Sequence, residues 1–252
     1  MTVLIYLVGY ILIHGVPYLR PSLFSLTYNS DNVSMMPAII NTITMVLLAL
    51  LFSVPFGIGA AIYLVEYAKK GSRFVKLIRI TAETLSGIPS IVYGLFGMLF
   101  FVTALHWGMS LLSGALTMVI MVLPLIMRTA EEALKSVPDS YREASFGLGA
   151  GKLRTIFTIV LPSAVPGILA GVILAIGRVV GETAALLYTS GTVAAVPNSL
   201  MGSGRTLALH MYVLSSEGLH VNQASATAVV ILAFVLVING LSGLVARKIA
   251  KG

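Results

Sequence analysis

Residues 138–163 read PDSYREASFGLGAGKLRTIFTIVLPS. Their order is that of a polar helix, a glycine turn, and a second helix that runs into an apolar stretch. Ser140 followed by Glu143 has the spacing of a capping box, in which a Ser at the helix start and a Glu three residues on satisfy free backbone N–H groups. Pro138 and Asp139 suit a chain entering a helix, so the spacing predicts a helix over about 141–148. Gly147, Gly149 and Gly151 supply a turn, and a second helical stretch, 152–161, leads to Pro162. The run Gly149-Ala150-Gly151-Lys152 has the look of a phosphate-binding loop. The pattern G-x-x-x-x-G-K-[ST] requires Gly at 146 and a hydroxyl at 153, where the chain has Phe146 and Leu153, and no strand precedes it. Nucleotide binding by this chain is therefore not expected.

Around this segment the chain is almost wholly apolar. Of 252 residues, 58% are hydrophobic and 10% charged, and the mean hydropathy is +0.99. Ordinary soluble domains carry roughly 25% charged residues. Too few charges are present to cover a soluble surface, and the apolar runs are long and uncharged rather than alternating, so they read as spanning helices and not as barrel strands. The expected fold class is all-α: a polytopic membrane protein of one domain, residues 1–252. Its six transmembrane helices are expected near 1–19, 37–65, 77–105, 109–127, 164–188 and 224–246. Pro55 and Pro89 lie inside the second and third and imply kinks or breaks. Residues 1–18 lack a basic leader and a small-residue cleavage site, and are expected to stay as the first span. The absence of cysteine excludes disulfides and thiol catalysis. His14, His106, His210 and His220 are scattered without ligand spacing, so no metal is expected.

The placement of charge orients the chain. Lys69, Lys70, Arg73, Lys76 and Arg79 follow the second span; Arg128, Lys135, Arg142, Lys152 and Arg154 follow the fourth; Arg247, Lys248 and Lys251 follow the sixth. Thirteen of the sixteen basic residues thus fall on one side, which puts both termini and the loop 128–163 in the cytoplasm. The net charge of +7 is then a topological signal rather than a sign of nucleic-acid binding. Arg20 and Arg205 lie on the outer side, the latter in a Gly- and Ser-rich segment, 189–223. There it either receives an anion or contacts a partner, or is an ordinary loop charge.

Arg178 falls inside the fifth span. About 12 residues past Pro166 at 1.5 Å each, it lies roughly 18 Å along the helix, deep in a hydrocarbon core about 30 Å thick. Glu182 is at i+4 and shares its face. Charges at such depth are costly and usually face a bundle interior or a watery cavity. One reading is a site for an anion, because a guanidinium offers a planar fork of donors to an oxyanion and stays charged. The other is a structural ion pair that fixes helix register. Smaller features read as packing or boundary devices: an Arg79–Glu83 pair at the membrane edge, a bend over Ser86, Gly87, Pro89 and Ser90, and close approach at Gly57, Gly59, Gly167 and Gly171. Likewise the 138–163 helix either docks on a partner through Tyr141 and Phe146, its small Ala144 and Ser145 permitting close approach, or lies on lipid headgroups.

The loop resembles the coupling loop of ABC-importer permeases, whose pattern E-A-A-x3-G-x9-I-x-L-P is matched by Glu143, Ala144, Ser145, Gly149, Ile159, Leu161 and Pro162, with Ser145 in place of the second Ala. The resemblance implies a type I (MetI-like) permease fold, and a loop helix through which Glu143, Ala144, Ser145 and Gly149 engage a separate ATPase. The stretches SGIPSIVYGLFG (86–97) and RVVGETAALL (178–187) are similar to PstA-type permeases of phosphate-specific importers. That implies transport of phosphate across the bacterial cytoplasmic membrane, with Arg178 and Glu182 on the pathway. It also implies a heterodimer with a PstC-type permease, a PstB-type ATPase dimer and a PstS-type external phosphate-binding protein. No cofactor or catalytic residue is implied. Sulfate, molybdate, tungstate or phosphonate permeases are the alternative within the class, and an ATP-independent channel or an intramembrane enzyme lies outside it.

Overall fold

A computed structural model describes residues 2–69 and 71–249, without the side chains of 241, 242 and 245–249. Met1, Lys70 and Lys251, and the side chains of Arg247 and Lys248, lie outside the described residues, and with them part of the charge count that orients the chain. No strand occurs among the described residues. The helices are α1 (Thr2–Gly15), α2 (Met36–Ile62), α3 (Arg73–Ser86), α4 (Ser90–Gly97), α5 (Leu111–Lys135), α6 (Asp139–Gly147), α7 (Lys152–Thr155), α8 (Leu161–Gly181), α9 (Ala184–Thr189), α10 (Leu207–Glu217) and α11 (Val221–Ile249). Wider π turns extend α2 to Tyr67 and α4 to Ala104, and join α7 to α8.

Four segments are long and apolar enough to cross a membrane: Met36–Tyr67, Leu111–Lys135, Lys152–Gly181 and Val221–Gly240. They answer to the second, fourth, fifth and sixth expected spans with shifted ends. The third expected span is broken. Its halves, Arg73–Ser86 and Ser90–Ala104, count as one span only if taken together. Pro89 lacks an N–H and holds the residue before it out of the helical region, so α3 stops at Ser86 and Pro89 caps α4 in extended conformation (φ −58°, ψ 141°). Pro55, by contrast, sits inside uninterrupted α2. The first expected span, Thr2–Tyr18, is apolar but shorter than the others. The fifth also ends early, at Gly181, where Glu182 and Thr183 interrupt the helix before α9.

The residues group into two compact units. The first comprises 1–49, 89–118 and 177–237. Its core holds Leu23, Met35, Ala38, Leu207 and Ala226. The segment 195–207 is sewn to α2: Thr42 Oγ1 accepts from the Leu207 N–H at 2.8 Å, and Asn41 Nδ2 donates to the carbonyls of Ala195 and Arg205. In this unit α4 crosses α9 so closely that a Cβ on Gly94 would stand 2.7 Å from Ala185 Cα.

The second unit comprises 50–88, 119–176 and 238–252. Its core is built of small and branched side chains, among them Ala61, Ala130, Leu134, Val160, Ala164 and Ile168. Here α8 lies against α5 through the two expected glycines: Gly167 meets Ala133 and Gly171 meets Thr129. Gly57 meets Ile126 in the same way, whereas Gly59 faces open space. The Arg79–Glu83 pair expected at i+4 does not form. Arg79 instead reaches α5, where its Nε and Nη2 both lie 2.7 Å from Glu131 Oε1, and Lys135 Nζ lies 2.6 Å from the same oxygen. Glu131 is buried, so two cations from different helices answer one desolvated charge.

Gly94→Ala is expected to lower stability by about 1–3 kcal/mol, because backbone on the facing helix must move. Gly59→Ala should be neutral or stabilising by up to about 1 kcal/mol. Thermal unfolding of the two variants in detergent checks the contrast.

Candidate functional site

The polar segment after α5 is bonded to its neighbours on both sides. Helix α6 begins at Asp139 with Pro138 as its cap, so Ser140 is already inside the first turn and no side-chain cap bond forms. The expected capping box is absent because the proline starts the helix earlier. What fixes α6 is Arg142. Its Nε and Nη2 donate to Glu66 Oε1 at 3.1 and 2.8 Å, its Nη1 to the Val137 carbonyl at 2.8 Å and Asp139 Oδ1 at 3.2 Å, and its Nη2 to the Leu134 carbonyl at 3.0 Å. One guanidinium therefore caps the end of α5, pairs with the end of the second span and carries α6. Neither Glu66 nor this role of Arg142 was singled out in the sequence. The signal available was a lone acidic residue, Glu66, at the end of an apolar span.

The turn after α6 depends on Gly149, whose φ of +81° is a left-handed conformation that a side chain would strain. Ser145 is buried, and its Oγ lies 2.8 Å from Thr155 Oγ1, tying α6 to α7. A hydroxyl at this place closes the loop on itself. Glu143 and Ala144 are exposed. So are Tyr141, Phe146 and, at 90% exposure, Leu148, three apolar side chains on a short polar element. Tyr141, Ala144, Leu148, Gly149 and Arg154 line a cleft of about 650 Å³ beside them.

In the first unit, Glu182 is buried, and its Oε1 accepts the Ala185 N–H at 3.0 Å. Arg178 and Glu182 do not pair in the i,i+4 manner, because α8 ends between them and the carboxylate turns to the start of α9. Arg178 is half-buried and makes no ion pair among the described residues. A cation and a buried carboxylate thus stand four residues apart in the chain at an interrupted apolar helix, an arrangement found where backbone is buried in protein or lines a cavity.

Arg205, read as an accessible loop residue, is only 4% exposed. Its guanidinium carbon lies 4.8 Å over the Tyr28 ring, while Nε and Nη2 have no hydrogen-bond partner. The fully buried His210 contacts the same ring edge-on. Burial, and secondarily the Arg205 charge, push the His210 imidazole down to about 3, with the Val33 backbone offsetting only part.

This fold, with its short polar helix between spans, is that of ABC-importer permeases. It resembles the inward-facing MetNI methionine ABC transporter (TM-score 0.70, 17% identity, covering 88% of this chain and 99% of that one). It also resembles a bacterial alginate ABC transporter in complex with a pentasaccharide-bound periplasmic protein (TM-score 0.70, 19% identity, 96% and 87%). Residues 53–251 match the family described as binding-protein-dependent transport system inner membrane component, and the chain belongs to that family. Over 98% of its length it is 33% identical to the probable ABC transporter permease protein YqgI of Bacillus subtilis, spanning 91% of that protein. Over 61% of its length it is 42% identical to the phosphate transport system permease protein PstA 1 of Mycobacterium tuberculosis, of which it spans about half. Over 81% it is 36% identical to a PstA homolog of Mycoplasma pneumoniae, spanning 33% of it. The resemblance to PstA-type permeases read from the sequence is thereby supported, and the chain is a multi-pass inner-membrane component whose relatives are permease subunits.

Two outcomes are expected. Glu66→Gln removes the carboxylate facing a largely buried guanidinium and should cost about 2–4 kcal/mol, seen as faster amide exchange across 139–155. For His210, the unfolded imidazole takes a proton near 6.5 and the folded one near 3. The unfolded state therefore binds more protons between these values, and stability should fall with pH across that window by at most about 5 kcal/mol. Denaturation of the wild type and of His210→Gln at pH 7 and pH 4.5 should show the loss in the first and a smaller loss in the second.

Proposed function

We propose that this chain is the permease subunit of an ATP-driven importer that carries inorganic phosphate inward, energised by a separate ATPase. The observation that carries the reading is the two charged residues at the interrupted fifth span: Arg178, a guanidinium with no ion pair among the described residues, near a buried carboxylate, Glu182, in otherwise apolar helix. Arg178 offers the fork of donors to the anion. Glu182 holds the helix break open by capping α9 and tunes the field felt by the anion. The PstA relatives support phosphate as the cargo. In this reading α6 presents Glu143, Ala144 and the apolar Tyr141, Phe146 and Leu148 to the ATPase, while Ser145 and Gly149 keep the shape of the loop. The partners are a PstC-type permease, a PstB-type ATPase dimer and a PstS-type binding protein outside, with both termini in the cytoplasm. A different oxyanion is the second reading, favoured by the full-length likeness to a relative named only as a probable permease.

Arg178→Lys replaces the planar fork by a point charge, and should leave the complex assembled while lowering phosphate uptake roughly 10- to 100-fold. Labelled phosphate uptake into proteoliposomes at low phosphate measures it, and uptake equal to wild type would remove Arg178 from the pathway. Competition by unlabelled sulfate or molybdate as effective as that by phosphate would instead favour the second reading. Glu143→Lys should abolish co-purification of the ATPase or its transport-linked ATP hydrolysis. Retention of both would sink the docking role.

A further inference from the structure

Helix α3 has two apolar faces. Val75 and Ala82 are buried with Leu64 and Met127, and Ile78 packs beside them. On the opposite side Phe74, Leu77 and Ile80 are 60%, 60% and 50% exposed. They recur every third residue and so form one stripe along the helix. Arg73 and Lys76 are exposed beside that stripe and make no ion pair among the described residues, whereas Arg79 is taken by Glu131. At the head of the helix lies a cleft of about 570 Å³ lined by Tyr63, Tyr67, Lys69, Ser72 and Phe74. Lys152 Nζ stands 4.8 Å over the Tyr67 ring and adds a cation to its edge. Both tyrosines are exposed at the end of the second span, the level at which aromatic rings sit among headgroups.

We propose that this cleft and the outer stripe of α3 form a binding site for an anionic phospholipid of the cytoplasmic leaflet. The headgroup phosphate is held by Lys69, Arg73 and Lys76 with the Ser72 and tyrosine hydroxyls in reach, and an acyl chain lies along Phe74, Leu77 and Ile80. An amphipathic helix with large apolar side chains on one face and cations on its flank is suited to the membrane interface, and unpaired Lys and Arg there select anionic lipids. The same charges serve topology, but topology does not require an apolar stripe facing away from the bundle. This site is independent of the transported anion, so its failure leaves the reading of Arg178 untouched.

The chain has no cysteine, so a fluorophore on Leu77→Cys reports one position. The full chain carrying it is placed in nanodiscs of phosphatidylcholine alone or mixed with phosphatidylglycerol. Nitroxide-labelled lipid should quench the probe and aqueous iodide should not, the reverse holding for Leu148→Cys. Quenching by labelled phosphatidylglycerol should exceed that by labelled phosphatidylcholine. Lys69→Gln, Arg73→Gln and Lys76→Gln together should reduce that excess at least about five-fold, and Lys76→Gln alone should reduce it in part. Iodide access at Leu77 equal to that at Leu148, or equal quenching by the two lipids, overturns the proposal. Loss of the excess on adding inorganic phosphate reassigns the cations to a free anion. Shielding of Leu77 that appears only when partner subunits are added assigns the stripe to protein.

Discussion

The guanidinium of Arg142 makes all of its hydrogen bonds inside the protein, to one carboxylate from the end of the second span, to Asp139, and to two carbonyls at the end of α5. Without it, α6 would be a short polar helix held through Ser145 alone, below the length at which helices persist alone in water. With it, α6 becomes an extension of the spans that carry it, tied to the ends of the Met36–Tyr67 and Leu111–Lys135 segments. The Ser145–Thr155 contact closes the other side, and joins α6 to the start of the fifth span. Tyr141, Phe146 and Leu148 can be left exposed because the residues between them do the holding.

The same economy appears in the membrane. Continuous apolar helices satisfy their own backbone groups, so polar groups can enter only where a helix stops. The chain stops α8 at Gly181, and Glu182 satisfies a free N–H of α9 with its own carboxylate. That leaves Arg178 without an ion-pair partner among the described residues, a state that costs free energy unless an anion or water compensates it. Close packing around this point rests on Gly94, whose missing side chain permits α4 and α9 to touch.

Much of the architecture was legible. Apolar runs revealed the continuous spans because a bilayer leaves no alternative for twenty uncharged residues. The gapped pattern from Glu143 to Pro162 pointed to the permease family, and Gly167 and Gly171 were recognisable as contact points. Two failures were local: Pro138 starts α6 before the expected cap, and α8 ends between Arg178 and Glu182. The others involved residues far apart in sequence: Arg79 pairs with Glu131 rather than Glu83, Arg142 with Glu66, and Arg205 stacks on Tyr28. Local spacing favours the nearest partner, and folding supplied a better one. The apolar window also ran across α3, since hydropathy averaged over a span does not distinguish an amphipathic helix beside a break from a helix that crosses.

What the sequence determined by itself was therefore the class: an all-helical membrane protein with a polar loop between spans, a charge bias and two ionisable residues in an apolar segment. These follow from composition and local order, which act through the solvent and need no tertiary contact. Only the tertiary structure decided which residues hold and which are presented. Ser145 turned inward while Leu148 turned out, Arg205 was buried, Glu182 became a cap, and α3 kept a second apolar face uncovered. Those outcomes depend on which neighbour reaches a side chain first and shields it from water, and that is set by packing between distant segments.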